Sequence, residues 1–194
     1  MSATAATVFQ GGFSDAPRQA AYAFRAVMIA MARPGTRKTV TGVAPPAPLS
    51  VASGSILLTL CDPDTGLYLA GEADCQPLRD WVSFHTGAPI VGPDVANFVL
   101  GTWADLQPLD RFAIGTPEYP DRSATLIVEM PDWPTPNARL TGPGIADHAE
   151  AWLPNVSALQ ANAALYPLGL DFIFACGDTL AALPRSTRIT KLEG

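Results

Sequence analysis

The chain has 194 residues and a formal net charge of −6 at pH 7; 48% of its residues are hydrophobic and only 15% are charged. So acidic a chain offers few of the Lys and Arg side chains that release counterions from nucleic acid, which argues against nucleic acid as a partner. Its three cysteines lie far apart without CxxC spacing, so the sequence favours neither a disulfide framework nor a zinc knuckle. No apolar run reaches the roughly 18 residues of a membrane span, so membrane insertion is not favoured either.

The first predicted element is a helix over residues 14–32. Ser14 or Asp15 can cap its start, and Pro17 is tolerated in the first turn. The run "RPGT" ends the helix, because Pro34 disfavours helical geometry in the residue before it. Residues 37–43 then predict a short strand.

A mostly buried helix is predicted over 50–61, with Ser50 at its cap. A strand over 67–70 and a second helix over 76–87 follow. Four residues of that second helix share one face: Leu78, Trp81, Val82 and His85.

The C-terminal half contains the two clearest strand patterns, "ATLIVEM" at 124–130 and "LDFIFACG" at 170–177. Both are continuously apolar, so we expect them to be inner strands of one sheet. Between them lie a strand that ends in a Gly-Pro-Gly turn, over 138–145, and a helix over 155–166. Strands separated by helices predict an α/β fold, with helices packed on a mixed sheet in a single domain over 1–194 whose flexible ends are about 1–11 and 190–194.

The titratable residues give little support for a catalytic centre. His85 is the obvious acid–base candidate, but its place before Gly87 is more typical of a histidine at a helix C-terminus, and His148 is typical of a solvated surface residue. No histidine spacing indicates a metal site. The only lysines, Lys38 and Lys191, lack the sheltered position that Schiff-base chemistry needs, so no cofactor is expected and catalytic residues stay unassigned.

The loop "GTPEYPDRS" over 115–123 concentrates charge between two prolines. Because proline restricts the backbone, we interpret the loop as pre-organised. It has no base with a partner, so we interpret it as a structural or docking loop in which Arg122 pairs with a carboxylate of the loop or with backbone carbonyls. Low charge and many apolar surface positions indicate a protein that contacts partners.

Six blocks in one order, from about Gly12 to Ile189, resemble the H subunit of the bacterial carbon–phosphorus lyase system for phosphonate breakdown. They are "GFSDAPRQAAYAFRAVMIAMARPGT", "PPAPLSVASGSILLTLCDPDT", "FHTGAPIV", "GTPEYPDRSATLIVE", "LTGPGI" and "YPLGLDFIFACGDTLAALPRSTRI". None of these blocks is a catalytic signature.

The resemblance implies a fold like that of pyridoxal-phosphate-dependent transferases without the cofactor. It implies a cytoplasmic subunit, homodimeric when isolated, that joins the G, I and J subunits in a core complex. With G, I and L it would serve the step that converts a phosphonate and ATP into ribose 1-phosphonate 5-triphosphate, and the resemblance implies that the assembly, rather than this chain alone, catalyses that step. The candidate docking or structural residues are Arg33, His85, Glu118, Tyr119, Asp121, Arg122, Arg185 and Arg188.

A rival interpretation is a stand-alone enzyme that binds a phosphorylated small molecule in a pocket of the transferase-like fold. Its candidate ligands for the phosphate are Arg33, Arg122 and Arg188.

Overall fold

The computed structural model describes residues 9–192. Within that range the helices are α1 (Ala16–Ala32), α2 (Val51–Leu60), α3 (Gln76–Thr86) and α4 (Val156–Ala163). The strands there are β1 (Lys38–Thr39), β2 (Leu67–Leu69), β3 (Phe98–Thr102), β4 (Thr125–Glu129), β5 (Ala138–Thr141), β6 (Ala149–Ala151), β7 (Asp171–Cys176), β8 (Thr179–Leu183) and β9 (Arg188–Lys191).

The main sheet has six strands in the order β1-β8-β7-β4-β3-β2. Strands β2, β3, β4 and β7 are parallel, whereas β8 and β1 run antiparallel to their neighbours. The predicted mixed sheet is therefore confirmed. The two clearest predicted strands are β4 and β7, and both are inner strands that pair with each other.

Burial on both faces explains why β4 is central. Leu126 and Val128 enter one core and Ile127 enters the other, and all three are fully buried. A strand covered on both faces has no solvent face to spare, which is why its sequence is continuously apolar.

Three layers result from this arrangement. Helices α1, α2 and α3 cover one face of the main sheet. The other face is covered by α4 and by a second antiparallel sheet in the order β6-β5-β9.

The ends of the helices follow local rules in part. Ser50 caps α2 by accepting a bond from the Ser53 amide at 3.1 Å, and Gly87 ends α3 in the left-handed region with φ of 69°. Asp15 occupies the cap position of α1 but makes no side-chain cap bond, and its carboxylate lies 3.8 Å from the guanidinium of Arg18. The expected capping of α1 is therefore wrong in its chemistry, although the helix begins where predicted.

Four strands carry no clear pattern in the sequence: β3, β6, β8 and β9. Strand β8 is rich in alanine, which is depleted in strands, and it forms because a short turn at Gly177 (φ of 59°) folds it back on β7. Alternate residues of β8 are then buried in the core beside β7, which is itself an inner strand. Pairing with a neighbour, rather than local propensity, decides this element.

The predicted flexible ends lie partly outside the described residues, at 1–8 and 193–194. Within the described part, the carbonyl of Gln10 accepts a hydrogen bond from the Trp81 indole at 3.1 Å. Near the other end, Lys191 of β9 pairs with Ala138 of β5. Among the helices between residues 9 and 192, none combines the length and the apolar character that crossing a membrane requires.

Candidate functional site

The side chain of Arg185 organises the region around the 115–123 loop. Its guanidinium donates to both carboxylate oxygens of Asp171, to the hydroxyl of Ser123 and, at 2.7 Å, to the carbonyl of Pro120. The backbone amide of Arg185 bonds the same Asp171 carboxylate at 2.8 Å. One side chain thus connects the end of β8, the start of β7 and the loop.

The loop itself is closed by backbone bonds. The amide of Tyr119 donates to the carbonyl of Thr116 at 3.0 Å, and the amide of Thr116 donates back to the carbonyl of Tyr119 at 3.1 Å. Gly115 begins the loop with φ of 82°, close against the backbone of Pro120. Residues 120–122 then form a short 3-10 turn.

The expected pairing of Arg122 is wrong. Its guanidinium lies over the ring of Tyr119, 4.0 Å from the centroid, in a cation–π contact on the exposed side of the loop. Glu118 and Asp121 are also exposed. Arg185 has taken the inward position, because it approaches from the sheet and reaches carbonyl and carboxylate groups that Arg122 faces away from.

The other candidate docking residues lie apart from this loop. Arg33 is exposed at the end of α1, and Arg188 is exposed at the start of β9. The Gly142–Gly144 turn lies between them, since a Cβ at Gly144 would collide with the Ala32 carbonyl and one at Gly142 would press on Ser186.

His85 lies at the end of α3 as expected and packs against the rings of Trp81 and Phe84 at 5.0 and 4.9 Å. Its ring also touches the backbone at Gly12, where a Cβ would not fit. The Nε2 atom is buried without a hydrogen-bond partner among the described residues. These contacts are those of a packed residue under the N-terminal segment.

A partly buried carboxylate lies where the parallel strands end. Glu129, the last residue of β4, accepts bonds from the amide and hydroxyl of Ser50 at 2.9 and 3.0 Å. The hydroxyl of Ser53 approaches the same carboxylate without reaching full hydrogen-bond geometry. Burial raises the pKa of Glu129 above its usual range, although the bonds from Ser50 act to lower it.

This edge is where ligands bind in many parallel α/β sheets. Here the space is small, about 70 Å³, lined by Glu129, Glu72 and Asp105 among others. The carboxylate of Asp105 packs over Gly71 and accepts a bond from the Thr102 hydroxyl at 2.6 Å. This volume is well below the roughly 300–1,000 Å³ of typical small-molecule pockets.

A larger cleft of about 240 Å³ lies between the main sheet and the small sheet. Arg37 lies over the ring of Trp133 there, 4.6 Å from the centroid, and Glu150 and Trp152 complete the rim.

An apolar groove of about 510 Å³ lies between α4 and residues 107–114. Its walls are formed by the side chains of Leu109, Phe112, Ile114, Ala158, Ala161, Leu165 and Leu170. Gln107 and Asp110 provide polar groups at its margin. The groove adjoins the 115–123 loop, which starts directly after Ile114.

Comparison with known proteins gives the family. The sequence model described as "Bacterial phosphonate metabolism protein (PhnH)" matches residues 11–190. The chain belongs to this family. A PhnH relative from Rhizobium meliloti (strain 1021), the alpha-D-ribose 1-methylphosphonate 5-triphosphate synthase subunit PhnH, is 37% identical over 95% of this chain and 96% of its own. A protein of Stutzerimonas stutzeri named as a C-P lyase subunit, HtxG, is 30% identical over 90% of this chain and 87% of its own.

Membership of the PhnH family confirms the resemblance drawn from the six blocks. Family membership does not assign roles to residues. Neither Glu129 at the end of the parallel strands nor the apolar groove beside α4 was singled out from the sequence. Glu129 could have been noticed in the sequence as the only charged residue in the strand pattern of 124–130. The groove could have been noticed because no charged residue occurs between Glu150 and Asp171, the stretch that includes α4.

Proposed function

We propose that this chain is a subunit of the carbon–phosphorus lyase core complex and joins its G, I and J subunits. Together with the G, I and L subunits it serves the step in which a phosphonate and ATP become ribose 1-phosphonate 5-triphosphate, with loss of the base. The observation that carries the proposal is the 37% identity, over nearly the full length of both chains, to a subunit of a synthase named for that type of product. We infer a cytoplasmic location for such an assembly.

The geometry supports a subunit role. The 115–123 loop is held by backbone bonds and by Arg185, and its outer surface presents Tyr119 and Arg122 to solvent. A rigid loop with an exposed aromatic residue and arginine has the composition of a contact site, since both residue types are enriched in interfaces.

The test is reconstitution with and without this chain. Purified G, I and L subunits are mixed with ATP and methylphosphonate, and the phosphonate ester is followed by phosphorus NMR while free adenine is followed by chromatography. We expect product only when this chain is added, and co-purification of the chain with G, I and J. Equal product without the chain would overturn the proposal.

Self-association is part of the proposal and has its own support. Phe24 and Met28, one turn apart on α1, are 49% and 51% exposed. An exposed apolar stripe on a helix is typical of a contact surface. We expect the isolated chain to sediment as a dimer and Met28→Glu to shift it towards monomer; a wild-type monomer at micromolar concentration would contradict the dimer.

A second candidate is a stand-alone enzyme that binds a phosphorylated small molecule. The observation in its favour is the Gly142–Gly144 turn, which lies between the segments that carry Arg33 and Arg188. Arg122 lies on Tyr119 and is not directed into a pocket with them. Calorimetry of the isolated chain with ATP and methylphosphonate separates the candidates, since micromolar binding with turnover would favour the enzyme.

We further infer a relationship to the fold of pyridoxal-phosphate-dependent transferases without the cofactor chemistry. The absence of cofactor chemistry is supported by the placement of the two lysines, Lys38 in the edge strand β1 and Lys191 at an exposed position of β9. Neither occupies the sheltered position that imine formation needs. Incubation with pyridoxal phosphate and borohydride should leave the chain without a stable absorbance band.

A further inference from the structure

The groove beside α4 has the composition of an interface core. Its walls are aliphatic and aromatic, and no lysine or arginine is among the residues that line it. Beside it, Leu165 and Tyr166 are 46% and 62% exposed. Depletion of charge with exposed aromatic residues distinguishes the centre of an interface from ordinary surface.

The groove is pre-formed by buried hydrogen bonds. The side chain of Asn162 accepts a bond from the amide of Leu170 at 2.8 Å and donates to its carbonyl at 2.9 Å. These two bonds close the turn that carries Leu165 and Tyr166. On the other wall, the amide of Gly169 bonds the carbonyl of Ile114 at 3.0 Å.

One charged side chain, that of the acidic Asp110, is among the residues that line the groove. Asp110 lies exposed at the margin. The neighbouring Arg111 is turned inward, with its guanidinium over the rings of Tyr68 and Phe112 and bonded to the Asp105 carbonyl. The margin therefore complements a cation.

From this we propose that the groove receives a segment of another subunit of the assembly, one that presents apolar side chains flanked by a lysine or arginine. The inference rests on the proposed function, because it assigns the surface through which the chain meets its partners. A second copy of this chain fits less well. It carries the same net charge of −6, so two copies repel each other overall, and the residues that line one groove include no lysine or arginine for Asp110 of the other.

The experiment measures binding of the full-length chain to a purified G–I–J subcomplex by calorimetry at two salt concentrations. Leu165→Glu and Ala161→Glu place a charge in the groove wall, and Asp110→Lys reverses the charge of the margin. Val95→Glu is the matched control, because Val95 is 63% exposed on a loop outside the groove. Thermal midpoints establish that each variant is folded.

We expect Leu165→Glu to weaken binding at least about tenfold, as removal of a central interface contact does. Asp110→Lys should weaken it less, with a loss that shrinks at high salt. Val95→Glu should bind like the wild type. If Leu165→Glu folds poorly, Ala161→Glu tests the same groove wall with a second variant.

The outcomes separate the two proposals. If the wild-type chain binds and the groove variants bind equally well, the groove assignment is wrong while the subunit role stands. If the groove variants retain partner binding but turn the isolated chain from dimer to monomer, a second copy occupies the groove. If the wild-type chain does not bind the subcomplex, both proposals fail.

Discussion

Arg185 and Asp171 form a forked ion pair that also fastens the 115–123 loop. The side chains are only 13% and 17% exposed. The guanidinium still has donors left for Ser123 and the Pro120 carbonyl, so the pair connects two strand ends to a loop distant in sequence. A lysine could not supply this many donors in one plane.

Replacing Arg185 by Ala should lower the free energy of unfolding by about 3 kcal/mol, because it leaves the Asp171 carboxylate buried without its partner. Arg185→Lys should recover only part of this loss. Chemical denaturation of both variants measures the effect.

Arg122→Ala is the matched control for that experiment. Its guanidinium lies on the exposed ring of Tyr119, a contact worth about 0.5–1 kcal/mol. A larger loss of stability from Arg122→Ala than from Arg185→Ala would contradict the assignment of Arg185 as the residue that holds the loop.

Glu129→Gln should become more stable relative to the wild type as pH rises. Burial raises the pKa of Glu129 above the ordinary value of 4.5, so the folded state holds the proton more tightly than the unfolded state. As pH rises from about 4.5 through the folded pKa, the wild type loses stability, and above that pKa the loss is constant. Gln keeps an oxygen acceptor for Ser50 and has no such loss.

Thermal midpoints of Glu129→Gln and the wild type between about pH 4 and pH 8 check this. Glu129→Ala shows the role of the acceptor, since the Ser50 amide then lacks its partner at a cost of about 1–3 kcal/mol. A stability difference between Gln and Glu that falls with rising pH would show that the carboxylate is stabilised in its charged form.

Asn162→Ala should loosen the turn that carries Leu165 and Tyr166, because two buried backbone groups of Leu170 lose their partner. We expect a loss of about 2 kcal/mol or more and faster amide exchange across 163–170. Asn137→Ala is the matched variant, since Asn137 binds both backbone groups of Leu153 in the same way. Asn137→Ala should lose similar stability without faster amide exchange at 163–170. Faster exchange there in both variants would mean that the exchange rate at 163–170 follows global stability and not the Asn162 bonds.

Alkylation of the native protein should label Cys75 well before Cys61. Burial, with a smaller effect of the Asp62 charge, raises the pKa of Cys61 to about 12, so almost no reactive thiolate is present at neutral pH. Cys75 is only half-buried. Mass spectrometry of iodoacetamide-treated protein gives the order, and in denaturant the three cysteines should react alike; early labelling of Cys61 in the folded protein would contradict its burial.

Local patterns in the sequence were sufficient for the helices and for the two central strands. Ser50 as a cap signal begins the apolar helix α2, helical periodicity with Gly87 as the end signal defines α3, and the continuous apolar runs of β4 and β7 identify inner strands. These features depend on neighbours within a few residues, which the sequence displays directly. Membership of the PhnH family was likewise visible in ordered blocks along the chain.

Contacts between distant residues were decided only by the tertiary structure. Strand β8 exists because β7 offers an unpaired edge, and Arg185 rather than Arg122 holds the loop because the sheet brings residue 185 to Pro120 across 65 positions. Glu129 meets Ser50 in the same way, across 79 positions. Hydrogen-bond partners and apolar grooves arise from the packing of whole elements, and local patterns in the sequence do not show which elements will meet.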